Sequence, residues 1–138
     1  MERPRVLLAE DHIAVADRLR GLLEPDCEVV AVVHDGFAML GAAQALAPDL
    51  VVTDIAMPGI DGIAATARIK AIHTSARVLV VSVHNDAALV QRAFDAGVSG
   101  YVLKIAAGDE LPVAVKTVLA GKLYVSPQVR SLFPARRS

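Results

Sequence analysis

Glu10, Asp11, Asp54, Ser82 and Lys104 are the polar side chains that stand at the ends of short apolar runs. Glu10 and Asp11 follow Arg5 to Ala9, Asp54 follows Leu50 to Thr53, Ser82 closes Arg77 to Ser82, and Lys104 follows Gly100 to Leu103. Three carboxylates gathered at one crevice repel one another unless a cation lies among them. Oxygen donors without His or Cys spacing select a hard ion such as Mg²⁺. An ammonium opposite them and a hydroxyl beside them would hold the oxygens of an incoming phosphoryl group, the electrostatic clamp that phosphoryl transfer requires. In that arrangement Asp54 is the nucleophile and carries a covalent carboxyl phosphate. Each residue also has a plainer reading, because loop ends are polar by default. Asp11 serves equally as a helix N-cap, Ser82 as an ordinary strand-end hydroxyl and Lys104 as a solvated charge.

The joint reading needs elements that bring these residues together. The runs Arg5 to Ala9, Glu28 to Val33, Leu50 to Thr53, Arg77 to Ser82 and Gly100 to Leu103 read as strands. They are nearly continuous in apolar character, the pattern of parallel strands covered on both faces. Helical spacing fills the intervals. The first helix begins at Asp11 or His12 and places Ile13, Ala16, Leu19 and Leu23 on one face, with Pro25 beyond its end. The second spans about Phe37 to Ala47 and stops before Pro48, which disfavours helix in the residue ahead of it. The third runs from Gly62 to Ile72. The fourth takes Asp86 as N-cap, turns Leu89, Val90, Ala93 and Phe94 to the sheet and stops at Gly97. The fifth runs from near Asp109 to Gly121. This alternation predicts an α/β, flavodoxin-like doubly wound sheet of five parallel strands in one domain, residues 1–123. In such a sheet ligands bind beyond the strand carboxyl ends, where all the singled-out side chains fall. The remainder, 124–138, contains Pro127, Pro134, Arg130, Arg136 and Arg137 and reads as a linker-like tail.

Composition narrows the function classes. The chain has 138 residues and a formal net charge of -1, with no overall basic field to attract nucleic acid or an anionic membrane. Cys27 is the one cysteine, which rules out an intrachain disulfide and a cysteine-based zinc site. The apolar stretch Val6 to Ala9 is too short for a signal-peptide core or a membrane span, so a cytoplasmic location is expected. His12 reads as a helix-start residue beside the site rather than a metal ligand, and His34 and His73 read as surface residues. Met57-Pro58-Gly59 followed by Asp61-Gly62 is turn chemistry, in which Gly59 can supply a positive φ.

Four pieces of the chain resemble the receiver domains of bacterial two-component response regulators: Val6 to His12, Pro48 to Gly62 around Asp54, Val78 to Ser82, and Gly97 to Lys104. His12 after the acidic pair, the run Gly100-Tyr101-Val102-Leu103-Lys104 and the run Gly121 to Pro127 resemble the NarL/FixJ subfamily. Its members usually continue into a LuxR-type helix-turn-helix, an effector domain not found in this chain. The resemblance implies that Asp54 accepts a phosphoryl group from a sensor histidine kinase. Mg²⁺ would be held by Asp11, Asp54 and the Ala56 carbonyl, with Glu10 reaching the ion through water. It further implies that Lys104 binds a phosphoryl oxygen, Ser82 is the switch hydroxyl, and Tyr101 is the aromatic that changes burial in step. Tyr101 also reads as a packing residue with its ring inside and its hydroxyl wet. The implied role is a phosphoacceptor switch rather than an enzyme. It would form a phosphorylation-dependent homodimer and reach DNA only through an effector domain.

Two departures from the family pattern stand out. Ile105 occupies the place after the lysine where many receivers have proline, which leaves the Lys104-Ile105 peptide geometry open. Ala56 and His84 face the phosphoryl position, so no carboxamide at Ala56 orients attacking water. A phosphorylation-independent interaction module of the same fold is the alternative. A flavodoxin-like cofactor enzyme is disfavoured, because Glu10-Asp11 would repel a flavin phosphate where a Ser-, Thr- or Gly-rich loop is needed.

Overall fold

The computed structural model describes residues 3–132. Strands and helices alternate as β1 (Arg5–Ala9), α1 (Ile13–Leu23), β2 (Glu28–Val33), α2 (Gly36–Leu46), β3 (Leu50–Thr53), α3 (Gly62–Ile72), β4 (Val78–Ser82), α4 (Ala87–Asp95), β5 (Gly100–Leu103) and α5 (Ala107–Leu119), then β6 (Tyr124–Val125) and α6 (Pro127–Arg130). Every strand pair is parallel, and the order across the sheet is β2-β1-β3-β4-β5-β6. The winding reverses between β1 and β3, which makes their carboxyl ends the switch point.

Alternate strand residues face opposite sides of the sheet. Leu7, Val51, Val80 and Tyr101 pack on the side covered by α2, α3 and α4, through Met39, Ile69 and Val90. Leu8, Val52, Leu79 and Val102 pack on the other side, against Leu19 and Leu23 of α1 and Leu111, Val115 and Val118 of α5. All residues of β3, β4 and β5 are buried, the physical basis of their unbroken apolar character. The edge strand β2 is only partly covered.

Several expectations are corrected. The sheet has six strands, not five, and the sixth comes from the segment read as a linker-like tail. Tyr124 and Val125 pair with Gly100 and Tyr101, Pro127 opens α6, and Val129 is fully buried. A two-residue strand held by backbone pairing carries too little side-chain pattern to stand out in a sequence. Pro134, Arg136 and Arg137 lie outside the described residues. Ile13, assigned to the buried face of α1, is 61% exposed because it begins the helix at the rim of the sheet. A one-turn 3-10 helix, Lys104–Ala106, leads straight into α5, so that helix starts two residues before Asp109. Ahead of Pro48, α2 ends at Leu46 and Ala47 takes a left-handed conformation with φ 44°. All described peptide bonds are trans, including Lys104-Ile105.

Candidate functional site

The carboxyl ends of β1, β3 and β5 bring three charged side chains into contact. The Asp54 amide donates to the Ala9 carbonyl (3.0 Å), which carries the β1–β3 pairing one residue further and sets Asp54 beside Glu10. Lys104 Nζ lies 2.8 Å from Asp54 Oδ2 and 2.8 Å from Glu10 Oε1. The first contact is a hydrogen bond. The second is short but poorly directed, so it acts as an ion pair. Glu10 is fully buried and Asp54 is 6% exposed, a depth at which carboxylates require partners. Burial pulls the Lys104 ammonium down, but its hydrogen bond to Asp54, its close contact with Glu10 and their two charges outweigh that and hold it above its ordinary value.

Further contacts fix each carboxylate. Asp54 Oδ1 accepts from the Ile55 amide (2.7 Å). Glu10 Oε2 accepts from the His12 amide (3.1 Å) and lies 3.2 Å from His12 Nδ1. Among the described residues Asp11 Oδ1 is buried without a hydrogen-bond partner, and His12 Nδ1 approaches it to 3.3 Å. Ligand atoms of Glu10, Asp11 and His12 lie within 4.8 Å of one another. The expected acidic trio of Glu10, Asp11 and Asp54 is thus drawn differently. Glu10 and Asp11 cluster with His12, and Asp54 joins them through Lys104. Ala56 is exposed in the loop after Asp54, and among the described residues its carbonyl accepts no backbone hydrogen bond.

Ser82 and Tyr101 meet at the loop after β4. Ser82 is fully buried, and its Oγ accepts from the His84 amide (3.0 Å). Tyr101 is fully buried as well, and its hydroxyl donates to the His84 carbonyl (2.7 Å). The reading with a wet hydroxyl is therefore corrected: the loop backbone takes the place of water. Burial pushes the Tyr101 phenol up, the neighbouring Ser82 hydroxyl opposes this, and the Asp86 and Asp54 charges add to it.

Sequence reasoning missed the supports of Asp54. Thr53 Oγ1 donates to the Asp54 carbonyl (2.7 Å). Gly62 donates its amide to the Ile55 carbonyl (2.8 Å) and packs so closely that a Cβ there would stand 1.9 Å from the Asp54 carbonyl oxygen. The signals were a hydroxyl in an otherwise apolar strand and a glycine credited only to a turn and a helix start. Gly59 does adopt the positive φ expected of it, 83°. His34, read as a surface residue, is exposed, yet its Nδ1 lies 2.8 Å from the Glu10 carbonyl.

Residues 6–116 match the family described as response regulator receiver domain. The chain is 34% identical over 127 residues to transcriptional regulatory protein DegU of Brevibacillus brevis, covering 91% of this chain and 54% of that protein. It is 35% identical over 127 residues to response regulator GacA of Pseudomonas viridiflava, covering 91% and 59%. The chain thus spans somewhat over half the length of these relatives. Among solved structures, a LuxR-family two-component response regulator from Aurantimonas sp. SI85-9A1 superposes with a TM-score of 0.90 at 36% identity, covering 94% of each chain. The isolated REC domain of RcsB from Salmonella enterica serovar Typhimurium, determined with the phosphomimetic BeF3-, gives 0.88 at 29% identity, covering 96% of this chain and 99% of that one. With its reversed sheet order and its acidic cluster joined to a lysine at the switch point, the chain belongs to the response regulator receiver domain family, the phosphoacceptor signalling domains of two-component systems.

Proposed function

We propose that Asp54 accepts a phosphoryl group from the phosphohistidine of a sensor histidine kinase. The observation that carries this reading is the Lys104 ammonium held 2.8 Å from both Asp54 and Glu10, across the switch point of the sheet. An Asp54 oxygen attacks phosphorus, the P–N bond to the kinase imidazole breaks, and the imidazole leaves and takes up a proton. Lys104 then turns from the carboxylate to a phosphoryl oxygen, and Ser82 Oγ, which accepts from the His84 amide, swings to donate its proton to another phosphoryl oxygen and leaves that amide. That movement of the hydroxyl frees the loop after β4, and Tyr101, bonded to the same residue, moves with it.

The donor set fits Mg²⁺. The buried oxygen of Asp11 and the Ala56 carbonyl, both without a hydrogen-bond partner among the described residues, are hard oxygen ligands together with the Asp54 carboxylate, and Glu10 stands near enough to act through water. Bound there, the ion supplies positive charge that offsets the repulsion between the carboxylates and the phosphoryl oxygens.

The output we propose is control of transcription by an effector domain in the full-length protein, accompanied by phosphorylation-dependent homodimerisation. Supporting this, curated relatives are transcriptional regulators, and RcsB has been solved as dimers on DNA. Among the described residues no helix is long and apolar enough to cross a membrane, in keeping with work in the cytoplasm.

Intact mass after incubation with acetyl phosphate tests the acceptor chemistry. A Mg²⁺-dependent gain of one phosphoryl group, lost in Asp54→Asn, is expected. An unlabelled wild type would leave a receiver fold used for protein contacts alone, and a labelled Asp54→Asn would mean another acceptor.

A further inference from the structure

Besides the pairing of β6 with β5, one buried hydroxyl links the segment after Gly121 to the surroundings of Lys104. Leu103, the last residue of β5, directly precedes Lys104, and its amide donates to Ser126 Oγ (3.0 Å). The same Oγ donates to Glu110 Oε1 (2.5 Å), in the early part of α5 just beyond the 3-10 turn that starts at Lys104. Tyr124 adds a second donor to that carboxylate oxygen (3.0 Å). The Ser126 amide in turn bonds the Tyr101 carbonyl (2.9 Å), and Ser126 is fully buried. Where β6 runs out of backbone acceptors, the Ser126 side chain completes the ladder to β5.

We infer that Ser126 is a positioning residue for Lys104: its hydroxyl holds the backbone amide just before the lysine and the Glu110 carboxylate of the helix that follows it, and makes the ammonium's placement depend on the docking of residues 124–132. The inference rests on the reading of Lys104 as the phosphoryl-binding group. The Ser126 bonds reach the Leu103 amide at the start of the short turn that carries Lys104 and the Glu110 side chain in α5 beyond it, so that the turn lies between two anchored points. Ser126→Ala strips a partner from the Leu103 amide and from Glu110 together, and the turn then settles in more than one arrangement. Burial together with the Glu110 bond and charge pushes the Tyr124 phenol up to about 12, in keeping with a hydroxyl held as a donor to Glu110. Coupling of this kind is reciprocal. A phosphoryl group that draws Lys104 away from Glu10 and Asp54 therefore also loads the segment from Tyr124 to Leu132.

The test is the acetyl phosphate concentration dependence of Asp54 labelling with Mg²⁺, in the full chain and in Ser126→Ala, Ser126→Thr and Ser131→Ala. Ser126→Ala should raise the half-saturating concentration and slow labelling on the order of 10-fold, as a small misplacement of a binding group does. Ser126→Thr, which keeps the hydroxyl, should restore most of the loss. Ser131→Ala, which removes a surface bond to the Gln128 carbonyl in the same segment, should behave as wild type. A folded Ser126→Ala with wild-type labelling overturns the inference and leaves the acceptor reading intact, whereas an unlabelled wild type overturns both. If Ser126→Ala does not fold, Glu110→Gln decides: slower labelling upholds the positioning role, and unchanged labelling overturns it.

Discussion

Replacing Lys104 by methionine keeps an unbranched side chain of similar size but removes the charge between Glu10 and Asp54. The ammonium is 2.8 Å from an oxygen of each, so those oxygens stand no more than twice that distance apart. Two negative charges about 5 Å apart, at an effective dielectric of about 20, repel by about 3 kcal/mol. Removing one partner of a buried ion pair costs a comparable ~3–5 kcal/mol. The Lys104 side chain is 13% exposed, so water recovers little of this. We therefore expect Lys104→Met to lose about 3 kcal/mol at pH 7 in EDTA, with Tm falling on the order of 10 °C. Urea unfolding followed by circular dichroism measures the difference. Mg²⁺ should return a larger share of stability to the variant than to wild type, because it stabilises by mass action and meets no ammonium. A variant as stable as wild type in EDTA would refute the reasoning, since the carboxylates would then tolerate each other without the lysine.

Three further outcomes are expected. Gly62→Ala should cost at least about 1–3 kcal/mol by overpacking and should slow Asp54 labelling, because the new Cβ would meet the Asp54 carbonyl; denaturant melts and intact mass report the two effects. Ala47→Gly should raise stability by about 1 kcal/mol in the same melts, since an L-residue at φ 44° carries a steric penalty that glycine lacks. At high pH, Lys104, Tyr101 and Tyr124 all hold their protons more tightly in the folded chain than outside it, so stability is full below about pH 10 and falls as pH rises towards 12. Tyr124→Phe should make that decline shallower in urea melts between pH 10 and 12.

Much of the frame was legible because burial on both faces leaves little choice of residue: β3, β4 and β5 announce themselves as apolar runs, and polar side chains at their ends can only be rim residues. The rim placement of Glu10, Asp11, Asp54, Ser82 and Lys104 follows from that alone. What the pattern could not say is which charges touch. The ion pair from Lys104 to Glu10 and Asp54 depends on strand order and on the reach of one flexible side chain. Gly62 and Thr53 were missed because their importance lies in the closeness of a backbone carbonyl, which leaves no mark on hydrophobic periodicity. The strand at Tyr124 escaped notice for a related reason: two residues held by backbone pairing leave no periodicity, and Ser126-Pro127 after them marks only the helix N-terminus. Ile13 shows the converse error: helical spacing describes a face but not how far the sheet beneath it extends.

The sixth strand also bears on solubility. Without Tyr124 and Val125, β5 would present its outer backbone donors and acceptors as an open edge, the template on which chains stack into aggregates. Two residues and a serine hydroxyl are enough to occupy that edge, and a strand so short offers a second copy almost nothing to extend. At the opposite border β2 begins with the charged Glu28, which deters the same pairing. Substitutions that undock the segment after Gly121 should therefore first reveal themselves as concentration-dependent precipitation, before any loss of helical signal.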